Sequence, residues 1–261
     1  MHRVLGPIAA IGVLLAGGGC RSGAPGAANG PVLVAAAVSL STVLEELGAQ
    51  YTRDTGQPLR FNFAASNVLA RQIVEGAAVD VFVSADEAQM RLIVNAGLVD
   101  SGRRVPLVTN QLAVVVRDDW TGTLQRLADL AGPSVTRIAL GDPAAVPAGV
   151  YAKEALERAG VWGAVRARVV PSVSVRAALA AVDEGHADAA VVYRTDVAAA
   201  RRARLAFVVA PHDAPAIVYP AAVMTRAPHA VAARALLAWL QQPAARAVFE
   251  RHGFGVPLPA S

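Results

Sequence analysis

Several short stretches of this chain place small or hydroxyl-bearing residues where a strand-like run gives way to a helix-like one. Val38-Ser39-Leu40-Ser41 follows the apolar run Val32–Ala37, and Ala64-Ala65-Ser66-Asn67 follows Leu59–Phe63. Gly141-Asp142-Pro143, then Val146-Pro147-Ala148-Gly149, follow Arg137–Leu140. Pro171-Ser172-Val173-Ser174 leads into a helical pattern that starts at Val175, and the run Ala189–Val192 ends on Tyr193. A helix N-terminus presents unpaired N–H groups and roughly half a positive charge. Several converging on one point make an anion site without a charged side chain. Serine and tyrosine hydroxyls add donors. Taken singly, each serine also reads as an N-cap worth about 1 kcal/mol. Taken together, these stretches offer recognition of an oxyanion by neutral donors.

The elements that position them alternate along the chain. Leu40, Val43, Leu44 and Leu47 recur at helical spacing, as do Leu69 with Ile73, Met90 with Ile93, and Val175, Ala178, Leu179 and Val182. Strand runs are expected at Val79–Ser84, Val105–Val108, Leu112–Val116, Leu205–Ala210 and Ile217–Met224, and helices at 123–131, 150–159, 229–241 and 243–251. This βα alternation predicts an α/β protein with mostly parallel sheets covered by helices on both faces. It falls into two blocks, 31–109 and 110–219, followed by a strand and two helices that cannot bury their own apolar face. The tail (220–261) is expected to return to one block, giving lobe I (31–109 plus 220–261) and lobe II (110–219) with a cleft between. Open α/β sheets bind ligands beyond the carboxyl ends of their strands, which is where the donor stretches lie.

Composition narrows the partners. The 261 residues are 54% apolar, enough for a packed core, and carry a formal charge of +4. Their basic residues are 23 arginines and one lysine, Lys153. The densest basic run is Arg201, Arg202 and Arg204, with acidic residues interspersed elsewhere, so nucleic acid is not the expected partner. Arg3 followed by the apolar run Val4–Ala16 reads as a signal peptide over 1–19, since that run is too short to span a bilayer. Cys20 is the only cysteine and resembles the lipid-acceptor residue of bacterial lipoproteins, although Gly17 stands where that motif has leucine. The alternative is a leader cut near Ala27 or Ala28. Residues 20–30 read as a flexible tether. The mature protein is expected to be exported, held together without disulfides, and membrane-associated only through a lipid on Cys20.

Taken in register, these motifs resemble the periplasmic molybdate-binding proteins of ABC importers. The resemblance is carried by Ala35-Ala36-Ala37-Val38-Ser39-Leu40, Phe63-Ala64-Ala65-Ser66 with Leu69-Ala70-Arg71-Gln72-Ile73, Asp80–Asp86, Gly141-Asp142-Pro143 with Val146–Leu156, Val175-Arg176 and Val191-Val192-Tyr193. It runs in order from about 32 to 256, and the block 141–156 is its most specific part. It implies a two-lobed, type II periplasmic-binding-protein fold whose lobes close on a tetrahedral dianion. It places the ligand contacts on Ser39, Ser66, Ala148, Val175 and Tyr193, so that molybdenum is held as its oxyanion through these residues. By the same resemblance the serines give hydroxyl and backbone donors, Ala148 and Val175 backbone N–H only, and Tyr193 its hydroxyl. Asn67, where many relatives have serine, and Val38, where alanine is common, are the departures.

The resemblance further implies molybdate, with tungstate beside it, as ligand, no cofactor, a membrane permease of an ABC importer as partner, and a monomer rather than an enzyme. A donor-only site favours fully deprotonated oxyanions, and sulfate, being smaller, would sit at long hydrogen bonds. The other functions to weigh are a binding protein for another oxyanion such as sulfate, the effector-sensing part of a regulator, and an exported enzyme. The regulator would need a DNA-binding module, for which residues 1–30 are too short and apolar. Ser39 has no histidine at a recognisable motif spacing, which argues against a hydrolase. His2, His186, His212, His229 and His252 share no metal-ligand spacing. Asp80 and Asp86 read as turn or cap residues and Asp142 as an organiser of the loop carrying Ala148. Arg176 reads either as a charge biasing the cleft or as a solvated helix residue. Trp120, Trp162 and Trp239 read as packing.

Overall fold

The structure, a computed structural model, describes His2, residues 30–99 and residues 104–257. Of the expected leader and tether, all but His2 and Gly30 lie outside the described residues, Cys20 among them. The alternating pattern becomes two five-stranded sheets flanked by helices. No described helix is long and apolar enough to cross a membrane.

The first sheet contains β1 (Val32–Ala37), β2 (Leu59–Ala64), β3 (Val81–Val83), β4 (Arg104–Asn110) and β10 (Ile217–Val223), in the order β2-β1-β3-β10-β4. The second contains β5 (Leu112–Arg117), β6 (Ile138–Gly141), β7 (Val169–Ser172), β8 (Ala189–Tyr193) and β9 (Ala203–Val208), in the order β7-β6-β8-β5-β9. In each sheet the first three strands run parallel, and the fourth, β10 or β5, is antiparallel to both neighbours. That reversed strand is each time the one by which the chain arrives from the other sheet. The chain crosses at Gln111 between β4 and β5, and again through residues 209–216 between β9 and β10. The expected boundary at 219/220 falls inside β10, because Ile217, Val218 and Tyr219 already pair with Asn110, Thr109 and Val108.

Eight helices cover these sheets among the described residues: α1 (Ser41–Thr55), α2 (Ser66–Val74), α3 (Glu87–Asn95), α4 (Pro147–Arg158), α5 (Trp162–Val165), α6 (Val175–Asp183), α7 (Ala230–Trp239) and α8 (Pro243–Arg251). The tail returns to the first sheet, with α7 against β10 and α8 against α1. Packing follows the periodicity. Helix α2 buries Leu69, Ala70 and Ile73 in a cluster with Phe82 of β3 and Met90 of α3. Leu69, Ile73, Phe82 and Met90 each contribute about 1.5–3 kcal/mol of burial. Val114, Val115 and Val116 of β5 are fully buried, as an interior strand covered on both faces requires. Helix α1 ends at Gly56, whose φ of 73° is the left-handed cap a glycine adopts without steric cost.

Two expectations are corrected. Residues 123–131 hold only a 3₁₀ turn, Leu127–Ala131. The Asp129 carboxylate accepts the N–H groups of Gln125 and Arg126, and Arg126 is extended (φ −151°, ψ 161°), so the helix cannot begin at 123. Strand β7 lay hidden behind Pro171. It is an edge strand paired only with β6, a place where a residue without an N–H is tolerated.

Candidate functional site

The residues implied as contacts come from both sheets and line one small cavity of about 10 Å³. Ser39 lies in the 3₁₀ turn Val38–Leu40 directly after β1. Ser66 opens α2 after β2, Ala148 lies in the first turn of α4 after β6, and Val175 opens α6 after β7. Tyr193 is the last residue of β8. All are buried, none more than 4% exposed. A larger groove of about 490 Å³ between the end of β10 and α7 has Arg234 as its one charged lining residue and none of the strand-end donors.

The structure separates donors from caps. Of the serines in these stretches only Ser174 caps a helix, accepting the Ala177 N–H at 3.1 Å at the start of α6. Helices α2 and α4 are preceded by Ala65 and Val146, which provide no side-chain cap. Pro147 has no N–H, and the N–H groups of Ser66, Asn67 and Ala148 are left without a side-chain cap. Ser66 Oγ accepts the Ala85 N–H at 2.9 Å. A hydroxyl that accepts in this way keeps its proton for another partner. Ser39 Oγ lies 3.0 Å from Tyr219 Oη. Tyr193 Oη is buried with no partner in good hydrogen-bonding geometry, beside the Tyr219 phenol whose ring centroid lies 5.7 Å away. Burial pushes its ionisation well above the ordinary tyrosine range, so it remains an O–H donor. A buried polar atom left unpaired is costly, which makes this hydroxyl the clearest sign that a ligand oxygen belongs in the cavity.

The loop geometry explains how α4 is aimed. Asp142 Oδ1 accepts the Ala144 N–H at 2.9 Å, and the Asp142 carbonyl accepts the N–H of Val146 at 2.9 Å. Asp142 thus orders the loop before Ala148, as expected from the sequence. Gly149 lies so close to the end of β6 that a Cβ there would overlap the Gly141 carbonyl oxygen. Asp86 caps α3 by accepting the Gln89 N–H at 2.9 Å. Asp80, fully buried, accepts the N–H groups of Leu33 and His229 and holds the His229 imidazole at 2.9 Å, joining β1 to the start of α7.

Arg176 is neither a free charge at the cleft nor a solvated residue. Its Nε lies 2.7 Å from Oδ1 of the fully buried Asp196, and its side chain is 21% exposed. Burial pushes the Asp196 carboxyl up to about 6, against the pull of Arg176. Asp196 Oδ2 also accepts the Tyr193 N–H at 3.3 Å, which holds the end of β8. The cation beside the cavity is thereby neutralised. The sequence reading missed Asp196, Tyr219, Asn110 and Thr195. The only visible signals were a polar residue at the end of a strand and a tyrosine inside an apolar run.

Residues 32–255 match the family model of bacterial extracellular solute-binding proteins. The chain is 32% identical over 241 residues to the molybdate-binding protein ModA of Escherichia coli, across 87% of this chain and 90% of that one. It is 32% identical over 222 residues to the putative ABC transporter substrate-binding lipoprotein YvgL of Bacillus subtilis, across 85% of each. The solved structure of the Azotobacter vinelandii periplasmic molybdate-binding protein is similar at a TM-score of 0.79 and 25% identity, covering 87% of this chain and all of that one.

Proposed function

We propose, from the premise that this chain belongs to the family of bacterial extracellular solute-binding proteins, that it captures molybdate outside the cytoplasm and delivers it to the permease of an ABC importer. Tungstate, nearly the same size and charge, is a second ligand. Ser39, Ser66 and Tyr193 donate hydroxyl protons, and Ser39, Ser66, Ala148 and Val175 donate backbone N–H groups. The role is transport rather than catalysis, and no cofactor takes part. The observation that carries this reading is the buried Tyr193 hydroxyl, with no protein partner in good hydrogen-bonding geometry, in a cavity walled by uncapped helix starts from both sheets.

The donor set supplies the selectivity. Every group aimed at the ion is a donor, so a protonated oxygen would meet a donor and find no acceptor. Hydrogen phosphate is disfavoured on that ground and sulfate by its smaller size. Charge is not the grip: the neighbouring arginine is paired, and neutral dipoles hold the ion. The two lobes open and close through the crossings at Gln111 and 209–216. A lipid on Cys20 tethers the protein to the envelope, a reading supported by the lipoprotein name of the Bacillus subtilis relative.

Calorimetric titration of the purified protein with molybdate, tungstate, sulfate and phosphate tests this. Tight binding of the first two is expected, with a melting shift equivalent to about 4 kcal/mol at a thousandfold excess over Kd. Sulfate binding as tightly as molybdate would remove the specificity claim. Absence of binding to every oxyanion would remove the function.

A further inference from the structure

Behind Ser39 lies a chain of buried polar groups that no expected ligand contact accounts for. Asn110, at the end of β4, accepts the Gln111 N–H through Oδ1 at 2.9 Å. A backbone N–H can only donate, so the atom facing it is the amide oxygen. The Nδ2 group must then face the other way, where it lies 2.9 Å from Thr195 Oγ1 and 3.3 Å from Tyr219 Oη. Tyr219 is fully buried in β10, at a register shift between Tyr219 and Pro220, the kind of irregularity that re-aims a side chain. The phenol accepts the amide proton on one lone pair, and Ser39 Oγ at 3.0 Å is placed to take the phenol's own proton, with the Tyr193 hydroxyl as the phenol's other neighbour. Ser39 Oγ is then an acceptor toward the protein, and its proton is left for the cavity.

We infer that Asn110 and Tyr219 are positioning residues that fix the direction of the Ser39 hydroxyl, making it an obligate donor and so setting the discrimination against hydrogen-bearing oxyanions. The inference rests on the oxyanion reading above and extends it to residues that do not touch the ligand. A serine hydroxyl without this relay can rotate and offer a lone pair, which a protonated oxyanion would accept. The asymmetry of a carboxamide, oxygen on one side and nitrogen on the other, gives the relay its direction. Strands β4 and β10, which flank the two crossings, supply its parts.

The test is Tyr219→Phe, alone and combined with Ser39→Ala, titrated with molybdate and with phosphate at a pH where phosphate is the hydrogen-bearing dianion. Both ligands then carry the same charge. The relay predicts that Tyr219→Phe weakens molybdate about tenfold, the scale of one hydrogen bond, while phosphate weakens less or gains. In the Ser39→Ala background the same change should alter molybdate affinity by less than about twofold, because residues acting as a unit are not additive. Equal losses for both ions, or an undiminished loss in the Ser39→Ala background, would overturn the relay while leaving the molybdate function standing. If the unsubstituted protein binds neither ion, the functional reading fails and takes the relay with it. Should the ligand-free melt show that Tyr219→Phe has lost its fold, Asn110→Asp decides instead. A carboxylate there accepts from Tyr219 and reverses the relay, so molybdate is expected to lose more than phosphate. Equal losses would mean charge repulsion alone and overturn the relay.

Discussion

From the first sheet the cavity receives serine hydroxyls, each braced from behind: Ser66 by the Ala85 N–H, Ser39 by Tyr219. From the second it receives Ala148 and Val175, whose side chains carry no donor, and the Tyr193 phenol. The two sheets repeat one strand arrangement, with the reversed strand in the same place. In the proposed site they contribute differently, one with side chains and the other mainly with backbone. A side-chain donor can be deleted by substitution. A backbone donor can be disturbed only by moving the helix that carries it. Sequence should therefore constrain the two halves of the site unequally: residue identity in the first, packing in the second.

Gly149→Ala is the most severe way to attack the backbone half. Its Cβ would overlap the Gly141 carbonyl oxygen, forcing α4 away from β6. A loss of about 3 kcal/mol or more in stability is expected, together with loss of molybdate binding. Thermal melting and titration check it, and a fully stable, fully binding variant would show that α4 need not lie there.

Side-chain donors come next. Ser66→Ala and Tyr193→Phe should each weaken molybdate by about 1.5–3 kcal/mol. They should differ in the ligand-free melt. Ser66→Ala also leaves the buried Ala85 N–H without its acceptor and should melt lower, whereas Tyr193→Phe removes a hydroxyl that has no protein partner in good hydrogen-bonding geometry and should melt no lower. Matching melts would erase the distinction between a braced and an unbraced donor.

A pH profile probes the second half further. Burial raises the Asp196 carboxyl from its ordinary 3.8 to about 6, so the folded protein binds this proton more tightly than the unfolded chain. Its contribution to stability is fully present below about pH 4 and is lost as pH rises through about 6. The melting advantage of the unsubstituted protein over Asp196→Asn should shrink across that window. The opposite slope would mean that Arg176 holds the carboxyl below its ordinary value. The smallest effect is expected at Val175→Ala. Its N–H remains, so molybdate affinity should change by less than about threefold, half a decade on a scale of 1.4 kcal/mol per tenfold. A larger loss would show that the valine side chain, and not only its backbone, shapes the site.

Much of the fold was legible because apolar periodicity reports burial directly. The runs at Val32–Ala37 and Leu112–Val116 and the helical spacing of Leu69 with Ile73 all became the expected elements. Residues 123–131 failed because helical spacing of Leu124, Leu127 and Ala128 says nothing about where Asp129 sends its carboxylate. Strand β7 failed because Pro171 marks a break in an interior strand but is harmless at an edge, and edges are assigned only by the assembled sheet. The donor loops were visible as small and hydroxyl residues at strand ends. Their family resemblance supplied the individual positions, and the structure brings all of these to one cavity.

By itself the sequence determined that this is an α/β chain with donors at its strand ends and no charge run to grip an anion, because period and residue type are local properties. Only the tertiary structure decided which serines cap helices and which face the cavity, that Arg176 is paired with Asp196, and that Asn110, Tyr219 and Ser39 form one line of hydrogen bonds. Those partners lie 20, 109 and 180 residues apart in the chain for Arg176–Asp196, Asn110–Tyr219 and Ser39–Tyr219. The direction of a hydroxyl proton depends on which groups folding brings within about 3 Å of it, and spacing along the chain carries no record of that.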